Sequence, residues 1–165
     1  MSTDAVNEAR VQLPHQKAVE AMRYGLYVVT CRSGDKKNGL TVAWVTQVSM
    51  NPTLVSIAVA KPWYSHELLV DSEYFVVHVL ADDQVDVGKN FGYVSGRVKD
   101  KFEGMSWELG YMDVPVLKGC RAVLGCKKIN EVDVGDHTLF IGKVEYSKMD
   151  DSKTSQILDP KIYFP

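Results

Sequence analysis

The chain has 165 residues, which fits one domain at a norm of roughly 150 residues per domain, and residues 1–165 are read as one. With 45% hydrophobic and 24% charged residues the composition is that of a folded globular protein, excluding collagen-like, fibrous and disordered classes. The 19 Lys and Arg against 21 Asp and Glu leave a formal charge of -2, with no basic excess to neutralise a nucleic-acid backbone or an anionic membrane.

The first 14 residues lack the basic-then-apolar run of a signal peptide, and the longest near-apolar stretch, Leu54 to Ala60, is far too short for a bilayer-spanning helix. A helix is expected from Pro14 to Met22, with Pro in its first turn and Gly25 beyond its end. The 24 valines cluster in short runs that suit a pleated surface. Strands are expected at Leu26 to Arg32, Leu40 to Ser49, Leu54 to Ala60, Tyr74 to Leu80, Ala122 to Ile129 and Thr138 to Ser147. The polar run Ser33 to Gly39 ends in Asn-Gly and predicts a hairpin turn, and Asn51-Pro52 predicts a second. Short helices are expected at Ser65 to Val70, capped by Ser65, and at Asp83 to Phe91. From Gly92 to Gly119 a Gly-rich connection of 28 residues is long enough to suggest function. The pattern is that of a mainly β protein, an all-β barrel with short peripheral helices.

Cys31, Cys120 and Cys126 are odd in number and without the two-residue spacing of a zinc or iron-sulfur pair, so they read as core residues in a reducing cytoplasm. No metal set emerges from His15, His66, His78 and His137. His15 reads as a helix surface residue, and His78, between Val77 and Val79, as an inward strand residue or a subunit contact.

Asn38 to Ala60, NGLTVAWVTQVSMNPTLVSIAVA, carries Thr46, Gln47 and Ser49 where plain alternation would admit more apolar residues. This segment resembles the flavin reductase-like family of FMN-binding split β-barrels. KPWYSHELL, EYFVVHVL, KNFG, DKFEG and GDHTLFIGKVEY follow in the family's order from Lys61 to Tyr146. Trp44 and Trp63 are larger than the family pattern, and Thr53 stands where a second Pro is frequent.

The resemblance implies a homodimer in which Thr46, Gln47, Val48 and Ser49 run along the isoalloxazine of FMN. It places Lys61, Tyr64, Ser65 and His66 at the phosphate, Lys101 and Phe102 near phosphate and ribityl chain, and Phe91 as padding. His137, in GDH, is implied to lie beside flavin and nicotinamide as the catalytic candidate. A helix start beside a lysine is also a sound anion cradle on physical grounds. Read without the family, Ser65 caps a surface turn, Lys61 and Lys101 are solvated charges, Phe91 closes a helix on the barrel, and His137 satisfies a turn carbonyl.

The expected activity is hydride transfer from NADH or NADPH to flavin, with electrons passing to free flavin, ferric complexes or a separate electron-acceptor protein. A flavoredoxin-like carrier with little direct nicotinamide activity is the alternative, and a non-catalytic split-barrel module the third reading.

Overall fold

The computed structural model describes residues 15–163. In chain order the elements are α1 (Gln16–Val19), β1 (Tyr27–Ser33), β2 (Lys36–Val42), β3 (Val45–Ser49), β4 (Leu54–Ala60), α2 (Tyr64–Asp71), β5 (Tyr74–Val79) and α3 (Val85–Tyr93). After these come β6 (Trp107–Leu109), one 3-10 turn (Tyr111–Asp113), β7 (Pro115–Leu117), β8 (Ala122–Val134), β9 (His137–Met149) and α4 (Pro160–Tyr163). The expected helix start at Pro14 lies outside the described residues. Among these residues no helix is long and apolar enough to cross a membrane.

Seven strands form one antiparallel sheet in the order β2-β1-β5-β8-β9-β4-β3, and β6 and β7 form a separate ribbon. Leu40 and Val42 near one end of the sheet share a buried cluster with Val55, Ile57 and Val59 near the other, so the sheet curls around a common core. The near-continuous apolar run of β1 has a cause, because both its faces are covered. Val29 and Cys31 face that inner cluster, while Val28 belongs to a second one outside the sheet. Phe91, Phe102, Val114 and Leu117 build this outer cluster. The Gly92 to Gly119 segment is therefore a lid packed on its own sheet rather than a loose connection.

Three local expectations are corrected. The strand expected from Leu40 to Ser49 is broken at Ala43 and Trp44 into β2 and β3, which form opposite edges of the sheet. The Asn-Gly pair is not the hairpin turn, since Asn38 pairs with Cys31 and Gly39 with Thr30 inside β2, and the turn is made at Gly34 with φ +56°. Ser65 is not a cap: α2 starts at Tyr64 after Trp63, and Ser65 lies buried in the first turn. Asn51-Pro52 does join β3 to β4 as a hairpin, through a cis peptide.

Candidate functional site

β3 is an edge strand whose Thr46, Gln47 and Val48 are all exposed. Its register with β4 shifts between Gln47 and Ser49, a bulge that leaves Val48 outside the ladder. The Gln47 amide donates to the Ser49 carbonyl at 3.0 Å and props this bulge. Thr46 lies opposite Ser56, Ser56 opposite Ile141, and Ala58 opposite Leu139, which is itself opposite Val132. Since Val55, Ile57, Val59 and Phe140 fill the inner core, alternation turns Thr46, Ala58, Leu139 and Ile141 outward. Thr46 thus stands on a largely apolar outer face, with Gln47, Val48 and Ser49 continuing along its edge.

At the start of α2 a pocket of about 220 Å³ is lined by Lys36, Lys37, Lys99 and Lys101 against Asp35 and Asp100, with Asn38, Tyr64 and Gly96. Lys101 is only 5% exposed. Its ammonium donates to the carbonyls of Gly39 and Phe91, each at 2.9 Å. A lysine carries three N–H donors, so one remains for a ligand. Desolvation pulls its pKa down to about 8, the signature of a buried cation without a carboxylate partner. Buried Asn38 donates to Ser65 Oγ at 2.9 Å, tying β2 to the first turn of α2. That helix start has no side-chain cap, which leaves its first N–H groups suited to an anion.

The second cationic feature is separate. Lys61 Nζ donates to the Gly135 carbonyl at 2.6 Å and pairs with Asp133, while its backbone N–H donates to the Asp136 carbonyl at 3.0 Å. Lys61 therefore latches the β8–β9 turn, because its bonds run to that turn and not to the Lys101 pocket. His66 Nε2 shares a hydrogen bond with Thr138 Oγ1 at 2.8 Å, and burial lowers the imidazole's pKa. On the same turn His137 Nδ1 meets Asp136 Oδ1 at 2.6 Å, and its ring packs against Trp44 with centroids 4.8 Å apart.

The expected residues therefore divide into three groups. Tyr64 and Lys101 line the lysine-rich pocket with Asn38, which holds Ser65 behind it; Thr46 to Ser49 flank the outer face; Lys61, His66 and His137 cluster about the start of β9. Phe91 and Phe102 do not line any of these: they are 1% and 2% exposed and pack edge to face at 5.3 Å inside the outer core. Their rings are closed off from solvent, and Phe91 contributes its carbonyl to Lys101 instead. The three thiols are buried, and desolvation pushes all of them up, Cys31 to about 12.

Sequence reasoning missed Asn38 and Asp136. Asn38 is hidden by its Asn-Gly turn signal. Asp136 stands within GDH beside His137, and only the structure shows the bond between them.

Residues 19–164 match the family model for a flavin reductase like domain. The chain is 34% identical over 130 residues to a high molecular weight rubredoxin of Moorella thermoacetica, covering 78% of this chain and 57% of that protein. It is 33% identical over 129 residues to the FMN reductase (NADH) SmoA of Agrobacterium fabrum, covering 78% of this chain and 72% of that one. Among solved structures, the NADH:FAD oxidoreductase of Streptomyces globisporus superposes with a TM-score of 0.78 at 29% identity, over 94% of this chain and 84% of that one. The chain spans less than two thirds of the length of the first curated relatives it matches. With nearly all its described elements inside the matched span, the chain belongs to the flavin reductase-like family.

Proposed function

We propose that this chain is a homodimeric, FMN-binding oxidoreductase that takes a hydride from NADH or NADPH and passes electrons to free flavin, a ferric complex or a separate protein. The observation that carries the reading is Lys101: a buried ammonium with one N–H to spare, in a pocket where four lysines face two aspartates. These residues fit a phosphate monoester, and Ser65, Tyr64 and the uncapped start of α2 complete the donor set. The isoalloxazine, when bound, supplies the hydride-accepting N5 and the electron storage that no side chain provides.

The chain's own residues have narrower tasks. Lys101 and the first turn of α2 hold the phosphate. Thr46, Gln47, the bulged Val48 and Ser49 border the ring, with backbone and side-chain donors available to its polar edge. His137 contacts the nicotinamide and helps hold it within about 3.5 Å of the hydride acceptor. The relative named an NADH-dependent FMN reductase and the structural neighbour named an NADH:FAD oxidoreductase support this assignment. Buried free thiols agree with a reducing, cytoplasmic setting.

One observation favours a flavoredoxin-like carrier as second reading. Trp44 stands half exposed against His137 and so takes up space beside the residue assigned to the nicotinamide. FMN titration followed by anaerobic stopped-flow reduction with each nicotinamide tests both. Saturable FMN uptake and reduction within seconds are expected. Uptake without reduction over minutes transfers the chain to the carrier reading, and no saturable uptake overturns the flavin assignment.

A further inference from the structure

We propose that Asp136 is the positioning residue of the nicotinamide site: it fixes His137 as the Nδ1–H tautomer, so that Nε2 offers a lone pair to the amino group of the nicotinamide carboxamide. This rests on the reading of His137 as the nicotinamide contact. Asp136 Oδ1 lies 2.6 Å from His137 Nδ1, and the hydrogen bond with His137 is the chief cause that holds the Asp136 carboxyl below the usual carboxylate range. An ionised carboxylate only accepts, so Nδ1 must carry the proton. Free imidazole favours Nε2–H, and the Asp136 bond reverses that preference.

The rest of the turn is held so that this bond has a fixed direction. His137 stands in register between Ala60 and Val134, and Trp44 packs against its imidazole. Lys61 binds the Gly135 and Asp136 carbonyls and pairs with Asp133, fixing the backbone on which both side chains stand. The Asp136 side chain is 90% exposed while the imidazole is 17% exposed, so the carboxylate keeps its hydration as it orients a largely covered ring. Trp44, His137 and Lys61 thereby build a rigid rim, and Nε2 is the ring nitrogen left to face a ligand. A carboxamide N–H donor is complementary to it; a carbonyl oxygen is not.

The test measures the tautomer and the reaction separately in FMN-loaded protein. Long-range proton–nitrogen spectra of histidine-labelled wild type are expected to show Nδ1–H at His137, and Asp136→Asn to shift it toward Nε2–H. Asp136→Asn should slow reduction by NAD(P)H about ten- to a hundredfold, leave FMN affinity unchanged, and add no loss in a His137→Ala background. FMN uptake by every variant verifies folding. An Nε2–H tautomer in wild type, an unchanged tautomer in Asp136→Asn, or an equal loss without His137 overturns the proposal. Wild-type reduction rates in His137→Ala overturn the nicotinamide role itself, and Asp136 is then only an anchor of the turn, whatever the spectra show.

Discussion

His78 accepts a hydrogen bond from the backbone N–H of Leu117 at 3.0 Å, while its other nitrogen donates to the Val28 carbonyl at 2.9 Å. The ring is thereby neutral, protonated on Nδ1, and joins β7 of the outer lid to the β1–β5 pair of the sheet. Desolvation in this site pulls its pKa down to about 4 from 6.5. Protonation at Nε2 would turn the acceptor into a donor aimed at the Leu117 N–H.

The unfolded chain binds this proton below about pH 6.5 and the folded chain only near pH 4, so its contribution to stability is complete above 6.5 and is lost as the pH falls between those values. Over that window the loss amounts to about 3 kcal/mol. Urea midpoints of wild type should fall between pH 6.5 and 4 more steeply than those of His78→Asn. Parallel curves for the two proteins would mean that His78 is not the sensor.

Lys101 obeys the same linkage in a more alkaline window. Its folded pKa lies at about 8 against 10.5, so the charge is present at neutral pH and lost as pH rises through 8. The unfolded chain holds the proton up to higher pH, so stability without ligand should rise between those two values. FMN affinity should instead weaken across pH 8 in wild type. Lys101→Met should bind FMN about ten- to a hundredfold less tightly at pH 7 and show a flatter profile, the loss of one charge-assisted hydrogen bond worth about 1.5 to 3 kcal/mol. Lys61→Met should retain the affinity, since Lys61 is spent on the β8–β9 turn. Equal losses in the two variants, read by flavin fluorescence titration, would return Lys61 to the phosphate.

The segment 92–119 reaches the same pocket through Gly96. A Cβ at this position would overlap the Asn38 side-chain amide, which is engaged with Ser65. Gly96→Ala is expected to displace Asn38, narrow the pocket and weaken FMN binding, and to lower unfolding midpoints as well, because the buried Asn38 loses its hydrogen bond to Ser65. Tight FMN binding by Gly96→Ala would show that Asn38 is not part of the phosphate site.

Much of this was legible in the sequence because burial has a period. Two-sided burial wrote β1 and β5 as near-continuous apolar runs, and the family motifs marked β3, α2 and the β8–β9 turn. The misread positions are those where a distant contact overrides a local signal. Asn38-Gly39 has turn chemistry, yet Gly39 is a strand residue because the Phe91 ring occupies the space its Cβ would need. No window of sequence contains both residues. Lys61 and Lys101 likewise look equivalent as basic residues, and only the carbonyls that each one meets separate a latch of the β8–β9 turn from a buried ammonium beside the pocket. Gly39→Ala should accordingly destabilise the fold by about 1 to 3 kcal/mol in denaturant melts, as overpacking does.

The outer face beside β3 yields the last prediction. Ala58, Leu139 and Val132 lie in one cross-strand row, and Trp44, Val48 and Met50 stand exposed along the adjoining edge, Met50 at 86%. β3 pairs on one side only, so an apolar surface adjoins unpaired backbone, the combination that an isolated chain usually blunts with charge. A second copy placed against this face would remove it from water and enclose Thr46 to Ser49, the residues proposed to border the ring. Light scattering should therefore give twice the 18.5 kDa of one chain. Val132→Glu puts an unpaired carboxylate at the centre of that contact on a half-exposed strand position, where the subunit fold tolerates it. It should lower the mass to that of one chain at micromolar concentration while the far-ultraviolet spectrum stays the same. A wild-type monomer loaded with FMN, or an undisturbed dimer in Val132→Glu, would place the dimer contact elsewhere or remove it altogether.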